Sequence, residues 1–291
     1  MSQRSVHDVT DWSRKFFDKV IADIEADKPF SILRYGDGEL TCMMHSKKGG
    51  GGVNYDGDLY SPMLGNMIKD SIMNPTIADN FHYCLGEHCH QIGLIRDLTR
   101  DRIWNASIKF EDAFVFVHAG IDGRLQKFVD LLNQKHSIFV APEYLQTLPI
   151  AFNERVVSPK NNSFGKKDDI AKEIISKLPE NETSVVVCAL GMSAIPIIIN
   201  LYRSNGSKHT FIDIGSVFDP YVEDGKYRSH FEKIKTKLNF KNDTGNKGRN
   251  RQASSKGAFN NDEGRKYNSH RKRKKASKRS VSEALQSDKV A

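Results

Sequence analysis

Short runs of apolar residues, separated by stretches of helical periodicity, recur along most of this chain. Phe30 to Tyr35, Phe81 to Leu85, Phe114 to Val117, Ile138 to Ala141, Val156-Val157, Ser184 to Leu190 and Thr210 to Ile214 each read as a strand. They are largely continuous rather than alternating, the pattern expected of strands buried on both faces. Helical stretches lie between most of them. Trp12, Phe16, Val20 and Ile24 recur every four residues, widened by Phe17 and Ile21. Asp8, Thr10 or Asp11 can cap that first helix, and Pro29 is expected to end it. Ser61-Pro62 starts another, with Met63, Leu64, Met67, Ile68 and Ile72 as its apolar face. Further helices are expected over Gly123 to Asn133 and over Asp168 to Leu178, the latter through Ile170, Ile174, Ile175 and Leu178. Strand–helix alternation of this kind predicts an α/β fold, a largely parallel sheet covered by helices.

The pattern stops near residue 240. From Lys241 to Ala291 the chain carries 15 lysines and arginines against five acidic residues, whereas the first 240 residues carry 29 against 31. The basic character therefore belongs to the tail, which is poor in large apolar residues and is expected to be disordered. Residues 1–240 are expected to form the folded domain. Arg271-Lys-Arg-Lys-Lys275-Ala-Ser-Lys-Arg279 could bind a polyanion or act as a nuclear-import-type address, or the tail could simply be solvated. No stretch has a signal-peptide core or the ~18 apolar residues of a membrane span. The four cysteines suggest no disulfide framework. A cytoplasmic protein is expected, in a host cytoplasm if it is viral.

Asp37-Gly38-Glu39 stands first among the chemical candidates. Two carboxylates one residue apart, in a glycine loop leaving the strand Phe30 to Tyr35, can converge on one hard cation. Ligands of open α/β sheets bind outside the carboxyl ends of strands. Arg34 could add a fixed cation. An ordinary turn, with a solvated Asp and a helix-capping Glu, fits the same spacing. Gly191-Met192-Ser193 follows a strand and opens a helix, so its backbone amides could hold a phosphate, although every strand–helix unit needs a turn. Asp213 and Asp219, after the last strand, could accept a proton from a hydroxyl or merely cap the next element. Gly49 to Gly52 reads as a mobile loop.

Other groups point less sharply. Cys84 to His90, with His82 nearby, fits no common zinc spacing. His118, at the end of an apolar run, reads more simply as a satisfied structural histidine. There is no Walker A sequence, no Gly-x-Gly-x-x-Gly fingerprint and no order of residues suggesting a covalent nucleophile.

Four segments, in order, resemble the GT-D-type glycosyltransferases, a family that includes bacterial glycan-modifying enzymes and phage-encoded relatives. They are Phe30-Ser-Ile-Leu-Arg-Tyr-Gly-Asp-Gly-Glu-Leu40, Val140-Ala-Pro-Glu-Tyr-Leu145, Val157-Ser-Pro-Lys-Asn-Asn-Ser-Phe164, and Cys188-Ala-Leu-Gly-Met-Ser-Ala194 followed by Phe211-Ile-Asp-Ile-Gly-Ser-Val-Phe-Asp-Pro220. Asn54-Tyr-Asp-Gly57 is similar to a polar loop of the phage-type relatives. The sequence departs from the family at Asn162-Ser163, where Asn-Ala is usual, and in the basic tail.

The resemblance implies a Rossmann-like fold of the GT-D type and a metal-dependent transferase that moves a sugar from a nucleotide-sugar donor, in the first place a UDP-sugar, to a hydroxyl. It places Mn²⁺ or Mg²⁺ on Asp37 and Glu39. Arg34, Gly191 and Ser193 would assist with phosphate charge, and Lys160 and Asn162 would contact the nucleotide or diphosphate. Asp213 or Asp219 would meet the acceptor. That acceptor is expected to be a glycan or, in the phage-type alternative, a hydroxymethylated base in DNA. An inactive transferase fold that binds nucleic acid is the non-enzymatic alternative.

Overall fold

The computed structural model describes residues 9–46, 51–86, 107–205 and 208–222, together with 234, 237 and 238. All lie in the first of the two units into which the chain divides, Met1–Asp243. The basic tail, and the histidines and cysteine of 88–90, fall outside the described residues.

Among the described residues, seven strands form one sheet: β1 (Ser31–Tyr35), β2 (Phe81–Leu85), β3 (Phe110–Asp112), β4 (Ser137–Pro142), β5 (Glu154–Ser158), β6 (Val185–Cys188) and β7 (Thr210–Asp213). Their order is β3-β2-β1-β7-β6-β4-β5, and every pair is parallel. The described helices are α1 (Asp11–Glu25), α2 (Asp37–Ser46), α3 (Pro62–Met73), α4 (Val115–Ile121), α5 (Leu125–Gln134), α6 (Lys167–Lys177) and α7 (Ala194–Asn205). The chain is thus a Rossmann-like α/β protein, with the parallel sheet that the strand–helix alternation predicts; the described strands are all parallel.

Alternation along each strand divides the core in two. Leu33, Tyr35, Val140, Val186, Cys188 and Phe211 face one way and pack with Leu64, Ile68 and Ile72 of α3, Ile170 and Ile174 of α6, and Ile195 and Ile198 of α7. Ile32, Phe139, Val185, Val187 and Ile212 face the other way, against Phe16, Val20 and Ile24 of α1, Phe116 of α4 and Phe128 and Leu132 of α5. Burying both faces is what made the strand sequences continuously apolar.

Local signals set several helix ends. Thr10 Oγ1 accepts from Ser13 N at 3.1 Å and caps α1. Ser61 Oγ accepts from Leu64 N at 3.1 Å and caps α3, with Pro62 in its first turn. Helix α1 ends at Glu25, before Pro29, where Asp27 turns the chain with φ +52°.

Three expectations are corrected. Phe114 to Val117 is not a strand: the strand there is Phe110–Asp112, and Val115–Ile121 is helical and buried on nearly every side. A short apolar run buried all round carries no period by which to tell helix from strand. Trp12 is 44% exposed, its indole donating to Glu111 Oε2 at 2.8 Å, so it leaves the core stripe of α1. Met63 and Met67 of α3 and Ile175 of α6 are also exposed, and Leu64, Ile68 and Ile72 carry the buried face of α3.

Candidate active site

The chain leaves β1 toward α2 and α3 on the β2 side. It leaves β7 toward Asp219, which lies under Tyr144 at the end of β4. The carboxyl ends of the neighbouring strands β1 and β7 therefore bound the crevice at which strand connections diverge, the usual ligand position in open parallel sheets. Arg34, Gly36 to Glu39, Asp213 and Gly215 all stand there.

Asp37-Gly38-Glu39 is the first turn of α2 rather than a loop. Glu39 closes that turn: its Oε2 accepts from Gly36 N at 2.8 Å, the return half of a capping box. Asp37, at the first helical position, is exposed. The capping Glu anticipated as the ordinary alternative is thus present, and it leaves the second carboxylate oxygen of Glu39 outside that bond. Both carboxylates sit where a helix N-terminus favours negative charge.

Behind them lies a compact charged group. Arg34 Nε donates to Ala113 O at 2.6 Å, and its Nη1 is 3.9 Å from Asp213 Oδ1. Asp213 is buried at the end of β7, and its Oδ1 also accepts from Gly215 N at 3.0 Å. Burial pushes the Asp213 carboxyl up to about 6, against the pull of Arg34. Burial, reinforced by Asp213, pushes Glu39 up to about 7. Two carboxyls thus share one guanidinium, and Asp37 stands in the same first turn of α2 as Glu39. Arg34 is committed to Ala113 and Asp213, so its first role is to hold this acidic group in place.

A hairpin covers this edge. Gly51 and Gly52, expected as part of a mobile loop, pair with Tyr60: Tyr60 N donates to Gly52 O at 3.1 Å and Gly51 N to Tyr60 O at 3.3 Å. Val53 and Leu59 form an antiparallel bridge. Asn54 organises the turn, its Oδ1 accepting from Asp56 N at 2.9 Å and from Asp58 N at 2.8 Å. A clasp joins the hairpin to the connection after β5. Asn162 N donates to Asp58 Oδ1 at 2.7 Å, Leu59 N to Asn162 Oδ1 at 2.8 Å, and Asn161 Nδ2 to Asp56 O at 2.5 Å. Asn162 takes the left-handed conformation at φ +59°, which Asn tolerates better than most residues.

The clasp lies against two glycines. A Cβ on Gly191 (φ +54°) would come within 2.9 Å of Asp58 Oδ2, and one on Gly38 would touch Asn54 at 3.9 Å. The hairpin therefore rests directly over the Asp37 turn and the Gly191–Ser193 turn that leads into α7.

The remaining candidates are placed as follows. Ser193 is buried within its turn. Lys160 lies 5.7 Å above the ring of Tyr144, whose hydroxyl donates to buried Asp219 at 3.2 Å. Lys160, Tyr144 and Asp219 form a second polar group on the β4 side of the crevice. His118 is structural, as expected: it lies in α4, its Nδ1 2.7 Å from Asp112 Oδ2 and 3.0 Å from Ser13 Oγ. Of the residues of the Cys84–His90 cluster and His82, Cys84 is buried in the core and burial drops His82 to about 4.

The structure thus gathers Arg34, Asp37, Glu39 and Asp213 at the β1/β7 crevice, and Asn162 and Gly191 under the hairpin. Lys160 and Asp219 belong to a neighbouring group. Asp58, Asn161 and Tyr144 were not singled out in the sequence. Asp58 follows directly on the polar loop Asn54–Gly57, so density of turn-forming polar residues was the available signal.

No protein-family model, curated protein or solved structure matches this chain. Among the described residues, no group of three or more His, Cys, Asp or Glu side chains is placed to hold a metal, and no helix is long and apolar enough to cross a membrane.

Proposed function

We propose that this protein is a metal-dependent glycosyltransferase that takes its sugar from a nucleoside diphosphate. The observation that carries the reading is the acidic first turn Asp37–Glu39 at the strand-order switch, with more carboxylates around it than Arg34 alone can balance. Asp37 and the second oxygen of Glu39 would hold Mn²⁺ or Mg²⁺. A two-carboxylate set suits such an ion when substrate phosphates and water complete its shell. The ion would neutralise the diphosphate as it leaves.

The amides of the Gly191–Ser193 turn, at the start of α7, favour phosphate. The hairpin and its Asp58–Asn162 clasp would exclude water from that side. Transfer forms a bond from the acceptor oxygen to the anomeric carbon and breaks the bond to the diphosphate. The acceptor proton passes to a carboxylate. Asp213, buried at the end of β7 behind the Asp37 turn with its carboxyl raised by burial, would be the candidate base, with Asp219 as the alternative. The chief contributions would be positioning and charge stabilisation.

The acceptor is a hydroxyl of a glycan or related molecule. The charge of the segment from Lys241 makes a hydroxymethylated DNA base the alternative to test. A screen of nucleotide sugars for metal-dependent release of the nucleoside diphosphate, with and without hydroxymethylated DNA, tests both. Turnover by one donor that EDTA and Asp37→Ala abolish supports the proposal. A folded protein that turns over none, with either acceptor class, rejects it.

A further inference from the structure

A nucleoside diphosphate carries a flat base at the end away from its phosphates, and the acidic turn of α2 supplies nothing to hold one. The sheet register shows which residues lie within reach. Ile32 of β1 pairs with Ile212 of β7, Ile212 with Val187 of β6, Val187 with Phe139 of β4, and Phe139 with Arg155 of β5. This row crosses five neighbouring strands. Asp37, Tyr144 and Lys160 each stand five residues past their own strand's member of the row, and Gly191 four past. The acidic turn, the glycine turn and Tyr144 therefore follow one carboxyl edge, in the order β1, β6, β4. At roughly 4.8 Å per strand, β1 to β4 is about 14 Å, on the order of the reach of an extended nucleotide from diphosphate to base.

Tyr144 has the form such a base requires. It is half-buried, and its ring packs against the core on the α1 side of the sheet. Its hydroxyl donates to Asp219 Oδ1 at 3.2 Å, and Asp219 is itself buried at 3% exposure. Packing and that bond together fix the plane of the ring. The exposed Lys160 side chain places its Nζ 5.7 Å from the ring centroid, so a mobile cation reaches the ring face. Lys160 makes no ion pair among the described residues. A rigid ring face that an exposed, unpaired side chain covers is open to exchange of that cover for a flat ligand.

We propose that Tyr144 is the nucleobase platform of the donor site. The base stacks on its ring, Asp219 holds the ring by its hydroxyl, and the Lys160 side chain gives way to the base. The inference rests on the nucleotide donor proposed above and adds the residue that meets the base. It makes Asp219 a positioning residue that acts through Tyr144. Because the ring is already fixed, little ordering is left to oppose binding. Stacking on one aromatic side chain contributes about tenfold or more to the affinity for a base and accepts any base.

Calorimetric titration of UDP, GDP and ADP, and of inorganic diphosphate, into the full chain with Mg²⁺ tests this. Wild type is expected to bind at least one nucleotide about tenfold or more tightly than inorganic diphosphate. Tyr144→Ala should remove that margin and leave the affinity for inorganic diphosphate unchanged. Tyr144→Phe keeps the ring and loses only its tether, so it should retain most of the margin. Circular dichroism shows that each variant is folded. Nucleotide binding that depends on Asp37 but ignores residue 144 overturns the platform and leaves the metal site standing. So does a Tyr144→Ala variant that weakens inorganic diphosphate as much as nucleotide. Nucleotide binding that needs Tyr144 but neither metal nor Asp37 supports the platform and rejects the metal-dependent donor site. A folded wild type that binds no nucleotide, or none more tightly than inorganic diphosphate, overturns the platform.

Discussion

Gly215 makes the room that Arg34 fills. A Cβ at residue 215 would fall on the Arg34 guanidinium, and the backbone there has φ +58°. The same glycine amide donates to Asp213. One residue thus sets both the position of the cation and the orientation of the carboxylate it balances.

Gly215→Ala should therefore cost more than a surface glycine substitution. The left-handed backbone and the displaced guanidinium together predict a loss of about 2–4 kcal/mol in a denaturant titration. Gly123→Ala (φ +79°, with open space around its Cβ) carries only the backbone penalty and serves as the control. Equal losses in the two variants would mean that Arg34 is not held by Gly215.

The raised carboxyls give stability a defined pH dependence. Glu39 is raised by burial and by Asp213 to about 7, and Asp213 by burial to about 6. A carboxyl whose folded value exceeds its unfolded one favours folding while protonated. That contribution is complete below the ordinary carboxylate range, near pH 4, and is lost as pH rises through 6 to 7. Glu39→Gln keeps an oxygen acceptor for Gly36 N but removes the charge. It should be more stable than wild type at pH 8, by on the order of 1–3 kcal/mol without metal, and the advantage should fade by pH 4. Thermal melts across that range decide it. A Glu39→Gln variant less stable at pH 8 than at pH 4, relative to wild type, would contradict the assignment.

The clasp between Asp58 and Asn162 predicts local rather than global loosening. Asp58→Ala removes the acceptor of Asn162 N and the partner of Asn54 Nδ2. Hydrogen exchange at Leu59 and Asn162 should accelerate about tenfold or more, as expected when roughly 1.4 kcal/mol of local stability is lost. The core strand β6 should be unaffected. Exchange that rises equally in β6 would mean that the hairpin is part of the global core.

The sheet was legible because burial on both faces wrote itself into the sequence as unbroken apolar runs, from Ile138 to Ala141 and from Ser184 to Leu190. The same logic hid α4, where Val115 to Val117 is equally apolar because the helix is buried all round. In the site, Asp37, Glu39 and Asp213 stood out as acids at strand ends. The sequence left open whether Glu39 caps a helix or faces a ligand, and the hydrogen bond from Gly36 to Oε2 answers the capping half. The clasp was not legible, since Asp58 and Asn162 are 104 residues apart and only the fold brings them together. Met63 and Met67 looked like core by spacing, yet two neighbouring stripes on α3 share that spacing and the sheet takes only one.

The proposed function rests on the Asp37–Glu39 turn holding a divalent ion on a nucleoside diphosphate. Calorimetric titration of nucleoside diphosphates, UDP first, into wild type and Asp37→Ala with Mn²⁺ or with EDTA tests it most directly. Wild type is expected to bind at least one nucleotide in Mn²⁺. Affinity should fall by about tenfold or more, at least ~1.4 kcal/mol, in EDTA and in a folded Asp37→Ala. Binding that ignores both the metal and residue 37, or no binding of any nucleotide by folded wild type, would contradict it.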